Sequence, residues 1–432
     1  MGRIEAPRDP VTITLDGEPI VAERGEPVAA ALIAAGKMMI ARSPKFHRPR
    51  GPSCMRAACD GCLARVDETP NVMTCMVAAA EGTAVVSQNR LGPRGADLLR
   101  MTDWFFPEGM NHHELFAGIP GVQNVMQAFA RRVAGLGKMP ADIVAPRPAT
   151  RRRVDVVVVG GGPSGMAIAA NLAARGRDVE LLDDQLEPGG GILALAPVDR
   201  EPFEKLRAVF MDQVGARRVR LRGHTVAGGM YGRDLLVVGP DGAEILEPAT
   251  LVMASGGHDG ALAFEGNDVP GVMSARAAGM LLGRGVVVGD EIVVVISDGG
   301  GPFGASFARA VATLSAKTKV TVVHGDPVRV KGASRVKGIV VKDAAGKETE
   351  HDADAVLIDA PRSPAYELAE QAGARLVHQP RGFVVATESG LVGDGVYAVG
   401  ELVGSPFDAA AIEREAAEVA GAIGASRDRV TP

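Results

Sequence analysis

Cysteine is scarce in this chain of 432 residues: there are four, and all of them lie between Cys54 and Cys75. So few cysteines in so long a chain do not indicate the disulfide framework of a small secreted domain. The glycine-rich sequence that follows Cys75 has none, so it offers no redox-active dithiol beside a nucleotide site. Disulfide-reductase chemistry is therefore excluded.

Long apolar runs and an excess of basic charge are also lacking. No stretch approaches the ~20 consecutive apolar residues that a membrane-spanning helix needs, and the N-terminus lacks the apolar core of a signal peptide. The formal net charge of −5 gives no basic footprint for nucleic acid or for an anionic membrane surface. We therefore expect a cytoplasmic protein with no membrane span and no nucleic-acid partner.

The N-terminal sequence has the element order of a small β-grasp domain. Alternating apolar residues predict a hairpin over residues 11–21, turning at Asp16-Gly17, and a helix follows from Glu26 to Ala35. An irregular loop that holds the cysteines comes next, and residues 83–86 close the segment as a strand. The order alone also fits other α+β modules, so it supports the assignment without deciding it.

The cysteine spacing carries the first chemical signal. Cys54, Cys59, Cys62 and Cys75 form the pattern C-x4-C-x2-C-x12-C, which is the plant-type arrangement for a 2Fe-2S cluster. Small residues between them let backbone N–H groups approach the sulfurs. The alternative is a zinc site with four cysteine ligands, which usually pairs two C-x2-C knuckles, and only one such pair is present. We predict a 2Fe-2S cluster on these four cysteines.

The first glycine turn carries the second signal. A valine-rich strand at 154–159 runs into Gly160, Gly162, Ser164 and Gly165, and an alanine-rich helix follows. Strand, glycine turn and helix in this order form a dinucleotide site, in which the glycines let the backbone approach a pyrophosphate at the helix N-terminus. The next strand ends at Asp183, placed to accept from ribose hydroxyls, with Asp184 as the alternative acid.

A second glycine turn follows about 140 residues later. The strand 292–296 leads to Gly299, Gly301 and Gly304, but the strand after it ends in His324 rather than an acid. Either NAD(P) or another nucleotide such as an adenine nucleotide binds here, or the domain keeps the fold without binding NAD. Both alternatives stay open at this point.

The two turns belong to an internal repeat, which together with the N-terminal segment gives the expected fold class. It is α/β, with an N-terminal β-grasp 2Fe-2S ferredoxin-like domain followed by a two-dinucleotide-binding-domain, glutathione-reductase-like flavoprotein body. The expected domains are the 2Fe-2S domain at 10–90, a helical connector and linker at 91–152, the FAD-binding domain at 153–272 and 375–430, and the second dinucleotide-binding domain at 273–374.

Two polar features have simpler interpretations. His112 and His113 are adjacent and point to different sides of any regular element, so we interpret them as structural or interfacial. The basic run Arg151 to Arg153 lies at the end of a Pro/Arg-rich stretch, and we interpret it as the solvated edge of a linker. No general base stands out, so the catalytic residues are unknown.

With these residues in view, the chain resembles the α-subunit family of heteromeric sarcosine oxidases, hydrogen cyanide synthases, and opine and (hydroxy)proline dehydrogenases. The resemblance rests on the stretches Arg42 to Gly51, Ala134 to Pro140, Ala254 to His258 and Phe264 to Met273. It implies FAD on the first turn, with a C-terminal Gly400-Glu401 in the place of the family's Gly-Asp that holds the ribityl chain. It completes the cofactor-binding set with Gly190, Ala254, Ser255 and Gly256.

The resemblance also implies a function. We expect an FAD-dependent oxidoreductase acting on CH-NH donors as part of a complex: an FAD- and 2Fe-2S-containing electron-transfer subunit of an amine or amino-acid (sarcosine, opine or proline-type) dehydrogenase or oxidase. A flavin-containing, amine-oxidising β subunit and an electron-acceptor protein are the implied partners. The alternatives are a self-sufficient NAD(P)H-dependent flavin/iron-sulfur reductase and, outside enzymes, an assembly or regulatory protein.

Overall fold

The computed structural model describes residues 2–43, 46–88, 90, 92, 97–101, 121–122, 124–125, 145, 148–185, 187–260 and 262–428. The chain divides into two compact units. Unit 1 comprises Met1–Val144, Ala261–Asp298 and Phe303–Asp359, and unit 2 comprises Ala145–Gly260, Gly299–Pro302 and Ala360–Pro432. Most of the predicted connector, including His112 and His113, lies outside the described residues. The predicted domain boundaries stay predictions.

The N-terminal module of unit 1 is a mixed sheet with one helix, α1 (Val28–Ala34). Its strands are β1 (Gly2–Arg3), β2 (Pro10–Leu15), β3 (Glu18–Glu23), β4 (Ala41–Arg42), β5 (Pro49–Arg50), β6 (Leu63–Val66), β7 (Thr69–Met73) and β8 (Ala84–Val86). Five of them form a sheet in the order β3-β2-β8-β6-β7, in which β2 and β8 run parallel. The hairpin turns at Asp16 and Gly17, both with positive φ, as a tight two-residue turn requires.

The second nucleotide-binding module belongs to unit 1 as well. Its helices are α4 (Ala275–Leu282) and α5 (Phe303–Leu314). Its strands are β16 (Val272–Ser274), β17 (Val286–Val287), β18 (Glu291–Ile296), β19 (Lys319–His324), β20 (Asp326–Gly332), β21 (Val336–Lys342), β22 (Glu348–Asp352) and β23 (Ala355–Asp359). A parallel sheet has the order β16-β23-β18-β19, and β20, β21 and β22 form a separate antiparallel sheet.

Within unit 1 the two modules share main-chain contacts. Strand β1 pairs antiparallel with β17, and the N–H of Ile4 donates to the carbonyl of Gly285 at 2.8 Å. The N–H of Ser274, at the end of β16, donates to the carbonyl of Ser53 at 2.9 Å, one residue before the first cysteine. The cysteine loop is therefore anchored on the second nucleotide-binding module.

Unit 2 is built on a large sheet. Its helices are α2 (Pro163–Ala174), α3 (Pro197–Gly215), α6 (Glu367–Gln371) and α7 (Ala409–Asp428). Its strands are β9 (Thr150–Val159), β10 (Val179–Leu182), β11 (Val219–Arg222), β12 (Val226–Tyr231), β13 (Asp234–Gly239), β14 (Gly242–Met253), β15 (Gly257–His258), β24 (Ser363–Pro364), β25 (Leu376–Gln379), β26 (Gly382–Val385), β27 (Leu391–Gly393) and β28 (Val396–Ala398). The order β11-β10-β9-β14-β13-β12, with β28 beside β14, joins a parallel core to an antiparallel hairpin.

The parallel strands are buried on both faces, which explains their continuous apolar sequence. Val156, Val157 and Val158 of β9 are all fully buried, as are Leu181 of β10 and Val252 of β14. This α/β arrangement confirms the predicted fold class. Among the described residues, no helix is long and apolar enough to cross a membrane.

The interpretation of Arg151 to Arg153 as a linker edge is wrong, because β9 begins at Thr150. Arg151 donates to Asp234 and Glu247, and Arg152 donates to Glu180 at 2.7 Å and to Glu244 at 3.3 Å. These acids lie on the neighbouring strands β10, β13 and β14, far away in sequence. The basic run is therefore part of the sheet, where acidic side chains of other strands neutralise it.

The Arg152–Glu180 pair stabilises a buried carboxylate. Burial alone would raise the pKa of Glu180, but the hydrogen bond from Arg152 and the charges of Arg152, Arg220 and Arg222 outweigh it, and the pKa lies below its ordinary value. A carboxyl group whose pKa is lowered by folding contributes stability above its unfolded-state pKa of about 4.3 and loses it as the pH falls.

We expect Arg152→Met to destabilise unit 2 by about 2 kcal/mol at pH 7, less than the ~3–5 kcal/mol of a fully buried pair because the Arg152 side chain is 31% exposed. The rise in FAD fluorescence as the protein unfolds on heating measures this loss of stability. The matched control is Arg153→Met, whose side chain is 91% exposed and should change the transition little. The deficit of Arg152→Met should shrink below about pH 4; a deficit that grows with acid would contradict the role of the pair.

Candidate cofactor sites

The four cysteines lie in one loop system of unit 1 as two pairs. The sulfurs of Cys54 and Cys59 are 3.3 Å apart, and Cys62 is hydrogen-bonded to Cys75. Three of the four are buried, and Cys59 is partly exposed. Two pairs of thiols are the donor set that two irons need when each is bound by two cysteines.

Each pair holds one sulfur ready to be a thiolate. The hydrogen bond from Cys54 lowers the pKa of Cys59 to about 5, and the same bond, with burial, raises the pKa of Cys54. Likewise the bond from Cys75 lowers the pKa of Cys62. Since the thiolate is the form that binds metal, each pair already favours one ligand in the required state.

The backbone of the loop is arranged around the sulfurs. Met55 and Ala57 both have positive φ, which turns the N–H groups of Arg56 and Ala58 toward the sulfur of Cys54, each at 3.3 Å. Gly61 must be a glycine, because a Cβ there would collide with the carbonyl oxygen of Gly51. Hydrogen bonds from N–H groups to the sulfurs are a means of setting a cluster's potential.

The two cysteine pairs are the donor arrangement that a 2Fe-2S cluster requires. A zinc site needs its four ligands to converge on one point. Among the residues that the structure describes, no group of three or more His, Cys, Asp or Glu side chains is placed to hold one metal ion. The assignment of each individual cysteine as a ligand stays a prediction.

We expect Cys59→Ser to abolish the EPR signal of the reduced cluster, because it removes one of the four predicted thiolate ligands, while FAD absorbance is retained. Iron and acid-labile sulfide analysis of the same sample checks for loss of the cluster. Ser87→Ala, in the same module but outside the cysteine loop, is the control and should keep the signal. A full-strength cluster signal in Cys59→Ser would refute the ligand assignment.

The first glycine turn of unit 2 has the geometry of a phosphate cradle. A Cβ at Gly160 would collide with the carbonyl oxygen of Ala254, and one at Gly165 would collide with that of Gly160. Gly162, the N-cap of α2, instead faces open space. Gly190 lies opposite, where a Cβ would be 3.0 Å from the Cα of Gly162. Two glycines therefore serve packing, and Gly162 leaves room for a ligand at the helix N-terminus.

The two candidate ribose acids lie together at the end of β10. Asp183 is buried, and its carboxylate accepts from the N–H of Gly161 in the turn and from that of Gln185 at 2.7 Å. Asp184 is partly exposed and accepts from the side-chain amide of Gln185 at 3.0 Å. Asp183 is thus the acid that contacts the glycine turn, and its role toward ribose hydroxyls stays a prediction.

The C-terminal Gly400-Glu401 lies beside the same turn. Gly400 has positive φ, and a Cβ there would collide with the hydroxyl of Ser164. Its N–H donates to Glu415 of α7 at 2.9 Å. Two segments more than 200 residues apart therefore meet at the helix N-terminus, as the resemblance implies for a flavin site.

Sequence reasoning missed Arg362, which pairs with Glu401. Its Nε and Nη2 lie 2.8 and 2.6 Å from the same carboxylate oxygen, Oε1, and its guanidinium stacks over Phe407 with 5.2 Å to the ring centroid. The other oxygen, Oε2, lies 3.9 Å from where a Cβ on Gly256 would be. Arg362 thus fixes the longer glutamate arm with one oxygen toward the predicted site residue Gly256. No sequence pattern marks this arginine.

The remaining predicted residues of the first site are held by a short sheet. Gly257 of β15 pairs with Pro364 of β24, the hydroxyl of Ser255 donates to the carbonyl of Ala365 at 2.7 Å, and Ala254 packs on the glycine turn. The residues of the first set therefore converge. Of the second set, Gly299 has positive φ in the second turn, Gly301 follows it, and Gly304 lies in the first turn of α5.

Two protein families match the chain in the order that the fold displays. The 2Fe-2S iron-sulfur cluster binding domain matches residues 8–90, and the pyridine nucleotide-disulphide oxidoreductase family matches residues 154–328. The second match includes none of the four cysteines. The sarcosine oxidase subunit alpha of Rhizobium meliloti is 30% identical over 309 residues, which are 64% of this chain and 30% of that protein.

The chain is thus similar to sarcosine oxidase subunit alpha over 64% of its own length, and it carries a 2Fe-2S domain match followed by a flavoprotein-type match. The hydrogen cyanide synthase subunit HcnB of Pseudomonas aeruginosa is 35% identical over 162 residues, 34% of this chain and 33% of that protein. The chain therefore spans about a third of the length of these curated relatives. The family matches support a 2Fe-2S cluster and FAD as the cofactors.

Solved structures show the same fold. The L-proline dehydrogenase of P. horikoshii superposes with a TM-score of 0.72 at 20% identity, covering 99% of this chain and 75% of that chain. The thioredoxin reductase of Lactococcus lactis gives a TM-score of 0.50 at 18% identity, covering 64% of this chain and 100% of that one. The predicted β-grasp module and two-nucleotide-domain body are thus confirmed as the architecture.

We expect Gly162→Val to lower the FAD content of the purified protein at least ~10-fold, because the side chain fills the space that a pyrophosphate would enter. The flavin-to-protein absorbance ratio measures this, and the cluster's EPR signal should be unchanged. Since nothing lies within 4 Å of the added Cβ, the fold should tolerate it. Gly215→Val, at the exposed C-terminal end of α3 with nothing within 4 Å of the added Cβ, is the control. Unaltered flavin content in Gly162→Val would exclude this turn as the FAD site.

Proposed function

We propose that the chain is the FAD- and 2Fe-2S-containing electron-transfer subunit of a heteromeric amine or amino-acid dehydrogenase or oxidase. The observation that carries this proposal is the presence, in one chain, of a paired-cysteine loop and a glycine turn with its C-terminal Gly400-Glu401. A flavin supplies exchange between two-electron and one-electron chemistry, and a 2Fe-2S cluster carries single electrons.

The residues described above hold cofactors rather than attack a substrate. Around the cysteines, the N–H groups of Arg56 and Ala58 donate to the sulfur of Cys54 and partly offset the rise in its pKa. At the flavin turn, Asp183 and Glu401 are engaged by main-chain and arginine donors. Because both carboxylates already accept hydrogen bonds from these donors, neither acid is placed to act as a general base. This favours a role in electron transfer.

The names of the relatives support a partner and a substrate class. Sarcosine oxidase subunit alpha and HcnB are both named as subunits, so we propose a β subunit that oxidises the CH-NH bond and carries its own flavin. A further protein would accept the electrons. A sarcosine, opine or proline-type substrate is proposed on the same basis, and the site of its oxidation would lie on the partner.

The test compares the chain alone with its native complex. The chain is isolated from its own cells through a C-terminal tag under mild conditions, and associated polypeptides are identified and assayed for flavin. We expect a stoichiometric flavoprotein partner, and reduction of FAD by an N-methyl or cyclic amino acid only in the complex. The loss of the flavin's visible absorbance at about 450 nm, recorded under anaerobic conditions, measures the reduction.

Two outcomes would contradict the proposal. Rapid bleaching of the isolated chain by NADH or NADPH, at rates of turnover, would favour the self-sufficient reductase. A flavin and cluster that no donor reduces, in the complex or in the isolated chain, would favour an assembly or regulatory role instead.

A further inference from the structure

A buried carboxylate lies at the N-terminus of helix α5 in the second nucleotide-binding module. Asp359 ends strand β23 and is only 4% exposed. Its Oδ2 accepts from the N–H of Gly304, the second residue of α5, at 2.6 Å. An anion at this point is stabilised by the helix dipole and by a charge-assisted hydrogen bond. The chain therefore supplies its own negative charge to the helix end of the second glycine turn.

The first nucleotide-binding module has no acid at the matching position. The last glycine of its turn, Gly165, packs against Ala254, where a Cβ would be 3.4 Å from the alanine Cβ. The last glycine of the second turn, Gly304, packs against Asp359 in the same way, with a Cβ 3.2 Å from the aspartate Cβ. At this position the two copies of the fold thus differ, with an alanine in the first and an aspartate in the second.

The glycine and the strand end of the second module have explanations that need no nucleotide. A Cβ at Gly304 would lie 2.8 Å from Cγ1 of Val294, so a glycine is required for α5 to pack on β18. Strand β19, which should end in an acid for a ribose, ends in the exposed His324. The G-x-G-x-x-G pattern here follows from helix packing.

The second module also has a structural role in unit 1, which explains why its fold is kept. It pairs with β1 through β17, and Ser274 holds the residue before Cys54 by a main-chain hydrogen bond. Arg50 of β5, four residues before Cys54, forms an ion pair with Asp268, four residues before β16. The second module therefore supports the cysteine loop.

We propose that Asp359 fills the anion position of the second module, so that this module binds neither NAD(H), NADP(H) nor ATP and serves as the support of the cluster domain. A pyrophosphate placed at the N-terminus of α5 would lose the Gly304 donor to Asp359 and would face its negative charge at short range. This inference goes beyond the proposed function and does not depend on it.

The test uses FAD-saturated, cluster-containing protein and isothermal titration with NADH, NADPH and ATP. The wild-type protein should show no saturable binding up to about 1 mM of each. Asp359→Ala, which copies Ala254 of the first module, should gain affinity at least ~10-fold for one or more of the three, because it removes the charge and releases the Gly304 N–H. Asp352→Ala, an exposed acid of β22, is the control and should gain nothing.

A second variant distinguishes the effect of the charge of Asp359 from a loss of folding. Asp359→Asn keeps an acceptor for the Gly304 N–H and removes only the charge, and it should show a smaller gain than the alanine. The proposal is overturned if the wild-type protein, with the FAD site saturated, binds any of the three nucleotides saturably at or below about 1 mM. It is equally overturned if both Asp359 variants fold, judged by circular dichroism and FAD content, and neither gains affinity.

Discussion

Main-chain N–H groups can bind an anion only where no side chain separates the N–H groups from the anion. The described part of the chain meets this condition at three places. In the cysteine loop, positive φ at Met55 and Ala57 turns two N–H groups toward the sulfur of Cys54. In the first glycine turn, the open face of Gly162 leaves a helix N-terminus for a phosphate. In the second, the same kind of helix end receives Asp359 from within the chain.

The features that could be predicted from the sequence are those encoded over short distances. The Asp16-Gly17 hairpin, the cysteine spacing and the first glycine turn each depend on residues a few positions apart. The features missed are pairings across long separations, such as Arg152 with Glu244 and Arg362 with Glu401. Propensity and periodicity describe residues that are close in sequence. They therefore do not predict which distant charged residues the folded chain brings into contact.

The division of the chain into units changes how the glycine motifs are understood. The sequence makes the two nucleotide-binding modules equivalent repeats, yet the second is compacted with the N-terminal domain in unit 1. A domain can retain its fold as a structural support after its ligand site has been lost. The pair Ala254 and Asp359 shows how small the local change is, since both residues pack against the last glycine of their turns.

The pairing of β1 with β17 has a consequence for how the protein is made. Strand β1 is Gly2–Arg3, and its partner is Val286–Val287, so more than 280 residues are synthesised before the two can meet. The N-terminal domain leaves the ribosome as a free β-grasp unit long before its support exists, and a long-range closure of this kind is slow. The cysteine loop, which ends at Cys75, is likewise synthesised about 200 residues before Ser274, whose N–H holds Ser53.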